Sequence, residues 1–83
     1  MKKGIAGSLS SCDCYCVATE SNHPTIQIDS VVDAFFHEQI LQAITQAIQE
    51  SNHLNVDIHL IDKGAFDYTI QARVLCAIAR CFE

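Results

Sequence analysis

Tryptophan is absent from this chain, proline and methionine occur once each, and there are only three glycines in 83 residues. So little proline and glycine excludes a collagen-like repeat. Hydrophobic residues at 49% against 18% charged exclude a disordered tail, so the chain folds around a core. Cations are scarce: Lys2, Lys3, Lys63, Arg73 and Arg80 are the full set, they form no run, and ten acidic residues leave a formal charge of −5. Phosphate binding needs a concentrated basic face, which excludes nucleic acid as a partner. The charge fits an acidic protein that docks onto larger, more basic ones. No run approaches about twenty consecutive apolar residues, so no membrane-spanning helix is expected. Met1-Lys2-Lys3 carries the charge of a secretory leader, but Gly4 to Ser11 is too short and too polar to supply its apolar segment. The reading is a soluble, cytoplasmic chain.

Residues 1–83 read as a single domain, and domains of this size bury only about 60–65% of their unfolded surface, which leaves little material for a cleft. No catalytic residue is expected for that reason, although cysteines and four histidines are available for a nucleophile and base. The five cysteines are odd in number and lack an export signal, so free thiols are the default. Cys12, Cys14 and Cys16, spaced by two, would share one face of a strand and offer soft ligands. A closed zinc site needs a second cluster, and His23, His37, His53 and His59 show no ligand spacing. The preferred reading is small thiols filling a strand face and no metal; a cysteine-rich metal or redox module is the alternative.

Hydrophobic periodicity gives the elements. Gly4 to Leu9 reads as a short strand, Ser10 to Asp13 as an exposed bend, and Cys14 to Thr19 as a second strand resting on Tyr15 and Val17. Thr25 to Asp29 and Asn55 to Ile61 alternate, the latter with Val56, Ile58 and Leu60 inward and Asp57 and His59 outward. Ser30, followed by Asp33, is the expected N-cap of a helix whose stripe is Val32, Phe36, Ile40, Ile44 and Ile48, supported by Phe35, with His37 on the polar face and Asn52 ending it. A second helix carries Phe66, Ile70, Val74 and Ile78, with Arg73 and Arg80 on one side. Three to four strands and two one-sided helices imply an α+β two-layer sandwich, a small mixed or antiparallel sheet with both helices on one face. Phe36, Ile40, Ile58, Ile70 and Val74 are expected to meet in the core.

Two stretches attract a chemical reading. Asp62-Lys63-Gly64-Ala65-Phe66-Asp67 puts Gly before a helix and Asp in its first turn, compatible with anion binding and with an ordinary helix start. Ser8, Ser10 and Ser11 place hydroxyls beside Asp13 in an exposed bend, where a modifying transferase could reach one.

Ala6-Gly7-Ser8-Leu9-Ser10-Ser11-Cys12-Asp13, together with Asp62 to Asp67 and the helix through Arg73, resembles the acyl carrier (gamma) subunit of citrate lyase over nearly the whole chain. The family pattern is A-G-T-L-x-S-[GS]-D, then D-K-G-A-L-D and an R-A-R helix. The resemblance implies a non-catalytic carrier. Its serine, which falls on Ser11, would bear 2'-(5''-phosphoribosyl)-3'-dephospho-coenzyme A through a phosphodiester, and the terminal thiol would hold the acetyl or citryl group. It further implies the alpha (acyl transferase) and beta (citryl lyase) subunits as partners, with a holo-carrier synthase as a transient one. Asp13 would orient the Ser11 hydroxyl or be read by that synthase; a turn-capping role is the alternative. The acyl carrier of malonate decarboxylase resembles the serine motif but lacks D-K-G-A. Cys12 stands where the family has Gly or Ser, Ser10 where an acidic residue is common, and Gln71 where R-A-R has its first Arg. The four-helix bundle of fatty-acid synthesis is not implied, because neither its Asp-Ser-Leu motif nor four helices occur.

Overall fold

The computed structural model describes residues 2–83; Met1 of the leader-like start lies outside them. Six elements follow in order: β1 (Lys3–Gly7), β2 (Cys14–Glu20), β3 (Ile26–Ser30), α1 (Asp33–Ser51), β4 (Val56–Asp62) and α2 (Asp67–Cys81). The sheet order is β1-β2-β4-β3, with β1/β2 and β2/β4 antiparallel and β3/β4 parallel. Parallel neighbours need a long crossover, and the 19 residues of α1 provide it. The architecture is the expected α+β two-layer sandwich, with four strands and a mixed sheet. Among the described residues no helix is long and apolar enough to cross a membrane.

β4 obeys the period of two without exception: Val56, Ile58, Leu60 and Asp62 are buried, while Asp57, His59 and Ile61 line the half-buried outer face. Across the sheet the inward residues shrink. Gly4 faces Ala18 and Ala6 faces Cys16, and every inward position of β1 and the first three of β2 is Gly, Ala or Cys. The reason is α2, which lies almost on the backbone: a Cβ on Gly4 would stand 2.0 Å from the Ala77 carbonyl oxygen and 2.4 Å from the Cys81 nitrogen. Cysteine and alanine are weak strand formers, and here close helix packing selects them. The larger Ile40, Ile44, Ile58, Leu60, Ile70, Val74 and Ile78 fill the rest of the core.

Several expected positions are corrected. Ser30 ends β3 and does not cap α1; the N-cap is Val32, which has no capping side chain, and the Ser30 Oγ accepts the Val32 N–H at 3.1 Å while donating to Asp62. Phe36 is not in the core but 47% exposed, and Phe35 is 85% exposed. The helical stripe therefore begins at Ile40, because the first two turns of α1 overhang the sheet end. Phe66 is likewise the exposed N-cap of α2 and no part of its buried stripe. Cys12 does not share the strand face of Cys14 and Cys16; it lies outside β2 and is exposed. Asn52 ends α1 in the left-handed conformation, as its type predicts.

Two substitutions separate these packing regimes in urea denaturation. Ile70→Ala should lower stability by about 2–5 kcal/mol through a cavity. Gly4→Ala, although it adds one methyl, should cost about 3 kcal/mol or more, because backbone must move to admit it. A near-neutral Gly4→Ala would contradict the close seating of α2.

Candidate functional site

The chain leaves β1 through Gly7 at φ +94°, where a Cβ would meet the Cys14 carbonyl oxygen at 1.9 Å, so only glycine permits this path. The Ser8 N–H then donates to that carbonyl at 3.0 Å. Ser10–Asp13 forms a four-residue turn closed by the Asp13 N–H donating to the Ser10 C=O at 3.1 Å, with Ser11 and Cys12 as its central residues. Cys12 sits at φ +65°. A positive φ at the third position alone is the pattern of a type II turn and explains why Gly is favoured there. Ser11 is exposed, and among the described residues its Oγ has one hydrogen-bonding neighbour, the Cys12 Sγ at 3.8 Å.

Asp13 holds this turn to the body of the protein. Its carboxylate accepts the Ser8 hydroxyl at 2.6 Å, the Cys14 N–H at 2.8 Å, and Arg73 Nε and Nη2 at 3.0 and 3.2 Å. The bidentate Arg73 pair, then the Ser8 and Cys14 hydrogen bonds, hold its pKa at about 2, below the ordinary 3.8. Asp13 therefore caps the loop: the hydroxyl it accepts is that of Ser8, not Ser11. A backbone clasp adds to this, the Cys12 N–H donating to the Lys63 C=O at 2.8 Å and the Lys63 N–H to the Asp13 C=O at 2.9 Å. The serine turn is thus joined to the Asp62–Asp67 stretch.

That stretch has its own carboxyl node. Asp62 is the buried last residue of β4, 1% exposed, accepting the Ser30 hydroxyl at 2.8 Å and the Ala65 N–H at 2.9 Å. It fixes the end of β3 to the start of α2, while Gly64 at φ +90° makes the bend. The Asp62–Asp67 stretch thus reads as a structural joint, the ordinary helix start.

The thiols divide by environment. Burial, with the nearby Asp13 and Asp62 charges, pushes Cys14 up to about 12, and burial does the same to Cys16, so both stay protonated near neutrality. Among the described residues no three His, Cys, Asp or Glu gather as metal ligands. His59 pairs with Asp29 on the outer sheet face and His37 with Asp33 on α1, each at 2.7 Å, away from the turn.

The Arg73–Asp13 pair, sixty residues apart, was not legible from either motif alone, although each motif supplies one member. Gln71, at the other arginine position, donates instead to Gln46 of α1 at 2.6 Å.

A family model described as malonate decarboxylase delta subunit matches residues 1–81. The citrate lyase acyl carrier protein of Streptococcus uberis is 35% identical over 81 residues, covering 96% of this chain and 80% of that one. Its counterpart in Fusobacterium nucleatum is 34% identical over 82 residues, covering 96% and 87%, and one in Streptococcus pyogenes is 37% identical over 78 residues, covering 92% and 76%.

Because the folded Asp13 titrates near 2 and the unfolded one near 3.8, its stabilisation is complete above the unfolded value and is lost as pH falls from 3.8 through about 2. Arg73→Ala should raise the Asp13 carboxyl pKa toward the ordinary value and move acid unfolding to higher pH. Carboxyl-carbon NMR titration reads the first directly, and an unchanged Asp13 curve in Arg73→Ala would refute the pair as its cause.

Proposed function

Because this chain belongs to the citrate lyase acyl carrier protein family, we propose that residues 1–83 form one carrier domain that bears its acyl group on an arm attached to Ser11. The observation that carries the reading is the Ser11 hydroxyl, exposed at the tip of a turn that Asp13, Arg73 and the Lys63 clasp hold in place. A hydroxyl so placed can enter another enzyme's active site without unfolding its surroundings.

The arm is 2'-(5''-phosphoribosyl)-3'-dephospho-coenzyme A, joined through a phosphodiester at the Ser11 Oγ. When bound it supplies a terminal thiol that holds the acetyl or citryl group as a thioester. The residues present fit this role: Ser11 Oγ has no strong hydrogen bond to surrender, and the neighbouring Asp13 carboxylate is satisfied by Ser8, Cys14 and Arg73. Asp13 contributes as a positioning residue, keeping the turn in the shape that the modifying enzyme reads. The chain carries and its partners catalyse. Those partners are the alpha and beta subunits of citrate lyase and, transiently, a holo-carrier synthase, in the cytoplasm. A tether raises the effective concentration of the acyl group at two active sites, so the carrier needs only an attachment point and docking faces.

The family model's description supports a second reading, the acyl carrier of malonate decarboxylase. Asp62-Lys63-Gly64-Ala65 favours the first, because that signature belongs to the citrate lyase pattern.

Peptide mass spectrometry after co-expression with the arm-building and arm-attaching enzymes tests both levels. The expected result is the arm on Ser11, unchanged in Ser10→Ala and abolished in Ser11→Ala, with all three proteins equally stable. An unmodified wild-type chain, with the same enzymes active on another carrier, would overturn the carrier reading. Stable assembly with malonate decarboxylase subunits, and none with citrate lyase subunits, would establish the second.

A further inference from the structure

Where the chain runs on from the Lys63 clasp, an open groove of about 490 Å3 lies between the first turns of α1 and residues 62–68. Buried Ile40 lies in its lining with Phe36, Phe66 and Tyr68, which are 47%, 64% and 70% exposed. The Phe66 and Tyr68 rings stack at 5.5 Å between centroids. Aromatic side chains left in water at one end of so small a protein mark a surface for another molecule. The charge around them is one-sided. Among the described lining residues the exposed Asp67 is the one charge facing solvent, since Asp62 is buried and bonded to Ser30 and Ala65, and none is cationic. Lys63, following the alternation of β4, instead borders a separate hollow with Asp29 and Ile61.

We infer that this groove is the docking site of the enzyme that esterifies Ser11, and that it receives an apolar side chain flanked by lysine or arginine on that enzyme's surface. The inference rests on the proposed attachment at Ser11. Its location follows from reach. A partner that works at the far end of a long arm need not cover the turn, whereas an enzyme that acts on the Ser11 hydroxyl must bring its active site onto it. Its contacts must then extend over the residues next to the turn. The groove meets that requirement through the backbone: Lys63 is clasped to Cys12 and Asp13, and the next residue, Gly64, is already in the groove lining. The exposed Asp67 at the groove, with no cation among the described lining residues, favours a cationic group on the partner.

The test uses the unmodified full chain with the purified attaching enzyme. Phe66→Ala should raise the KM for the carrier, and the dissociation constant measured by calorimetry, at least about tenfold with little change in kcat, because an exposed anchor contributes to binding and not to the reacting atoms. Added salt should weaken wild-type binding in the same direction. Ser11→Ala should bind as tightly as wild type while remaining unmodified. Leu54→Ala removes another exposed apolar side chain, at the opposite end of the sheet, and should behave as wild type. Thermal melts confirm that each variant is folded. A Phe66→Ala chain with wild-type KM and affinity would overturn the docking site while leaving attachment at Ser11 intact. A wild-type chain that sediments as a dimer, and as a monomer when Phe66→Asp is introduced, would assign the groove to a second copy and overturn it too. A wild-type chain that the active enzyme neither binds nor modifies would overturn both readings together.

Discussion

The seating of α2 directly on β1 and β2 is the constraint from which most of the molecule follows. With Gly4 in contact with the helix backbone at Ala77 and Cys81, no inward side chain larger than Cys occurs on β1 or on β2 up to Ala18, and the sheet end beneath α2 is built from small residues. That closeness also brings helix side chains within reach of strand and loop groups. Arg80 donates to the Ile5 carbonyl at 2.7 Å, and one turn-pair earlier Arg73 reaches Asp13. Were α2 held farther out by larger side chains, neither arginine would reach its acceptor. Packing of α2 against β1 and β2 thus helps fix the geometry of the serine turn.

Two aspartates then divide the labour of joining elements. Asp62, fully buried, ties β3 to the start of α2 with neutral donors, a hydroxyl and a backbone N–H. Asp13, nearer the surface, takes a charged partner and ties the serine turn to α2. The difference follows from solvation. A charged guanidinium beneath the sheet end would lose its water without full compensation, whereas Arg73 remains 42% exposed along its side chain and keeps part of its hydration. Each aspartate also binds the N–H of a residue close in sequence, so each acts first as a local cap and only then as a long-range joint.

Much of this was legible in the sequence because it depends on local periodicity. The alternation from Val56 to Leu60, the four-residue recurrence from Ile40 to Ile48, and Asn52 as a stop all appear as read. The bend at Ser10–Asp13 was visible for the same reason, being a matter of turn-forming residues in succession. What escaped is what depends on where elements end in space. Phe36 and Phe66 fit the helical period, but the sheet stops short of them, and periodicity carries no information about the length of the surface opposite. Ser30 had the composition of a cap, yet Asp62, thirty-two residues away, claims its hydroxyl. The thiol spacing Cys12, Cys14, Cys16 suggested one face, but the turn reverses the chain between the first and second, and a period of two holds only within a strand.

The clasp between Cys12, Asp13 and Lys63 has a thermodynamic consequence for any encounter at the turn. An acceptor serine in a disordered tail must lose backbone freedom, roughly 1–2 kcal/mol per residue, when an active site fixes it. Here both flanks of Ser11 are already hydrogen-bonded in the unbound protein, so that loss was incurred on folding. Association at this preorganised turn would proceed with little conformational entropy opposing it, leaving burial and charge to set its affinity.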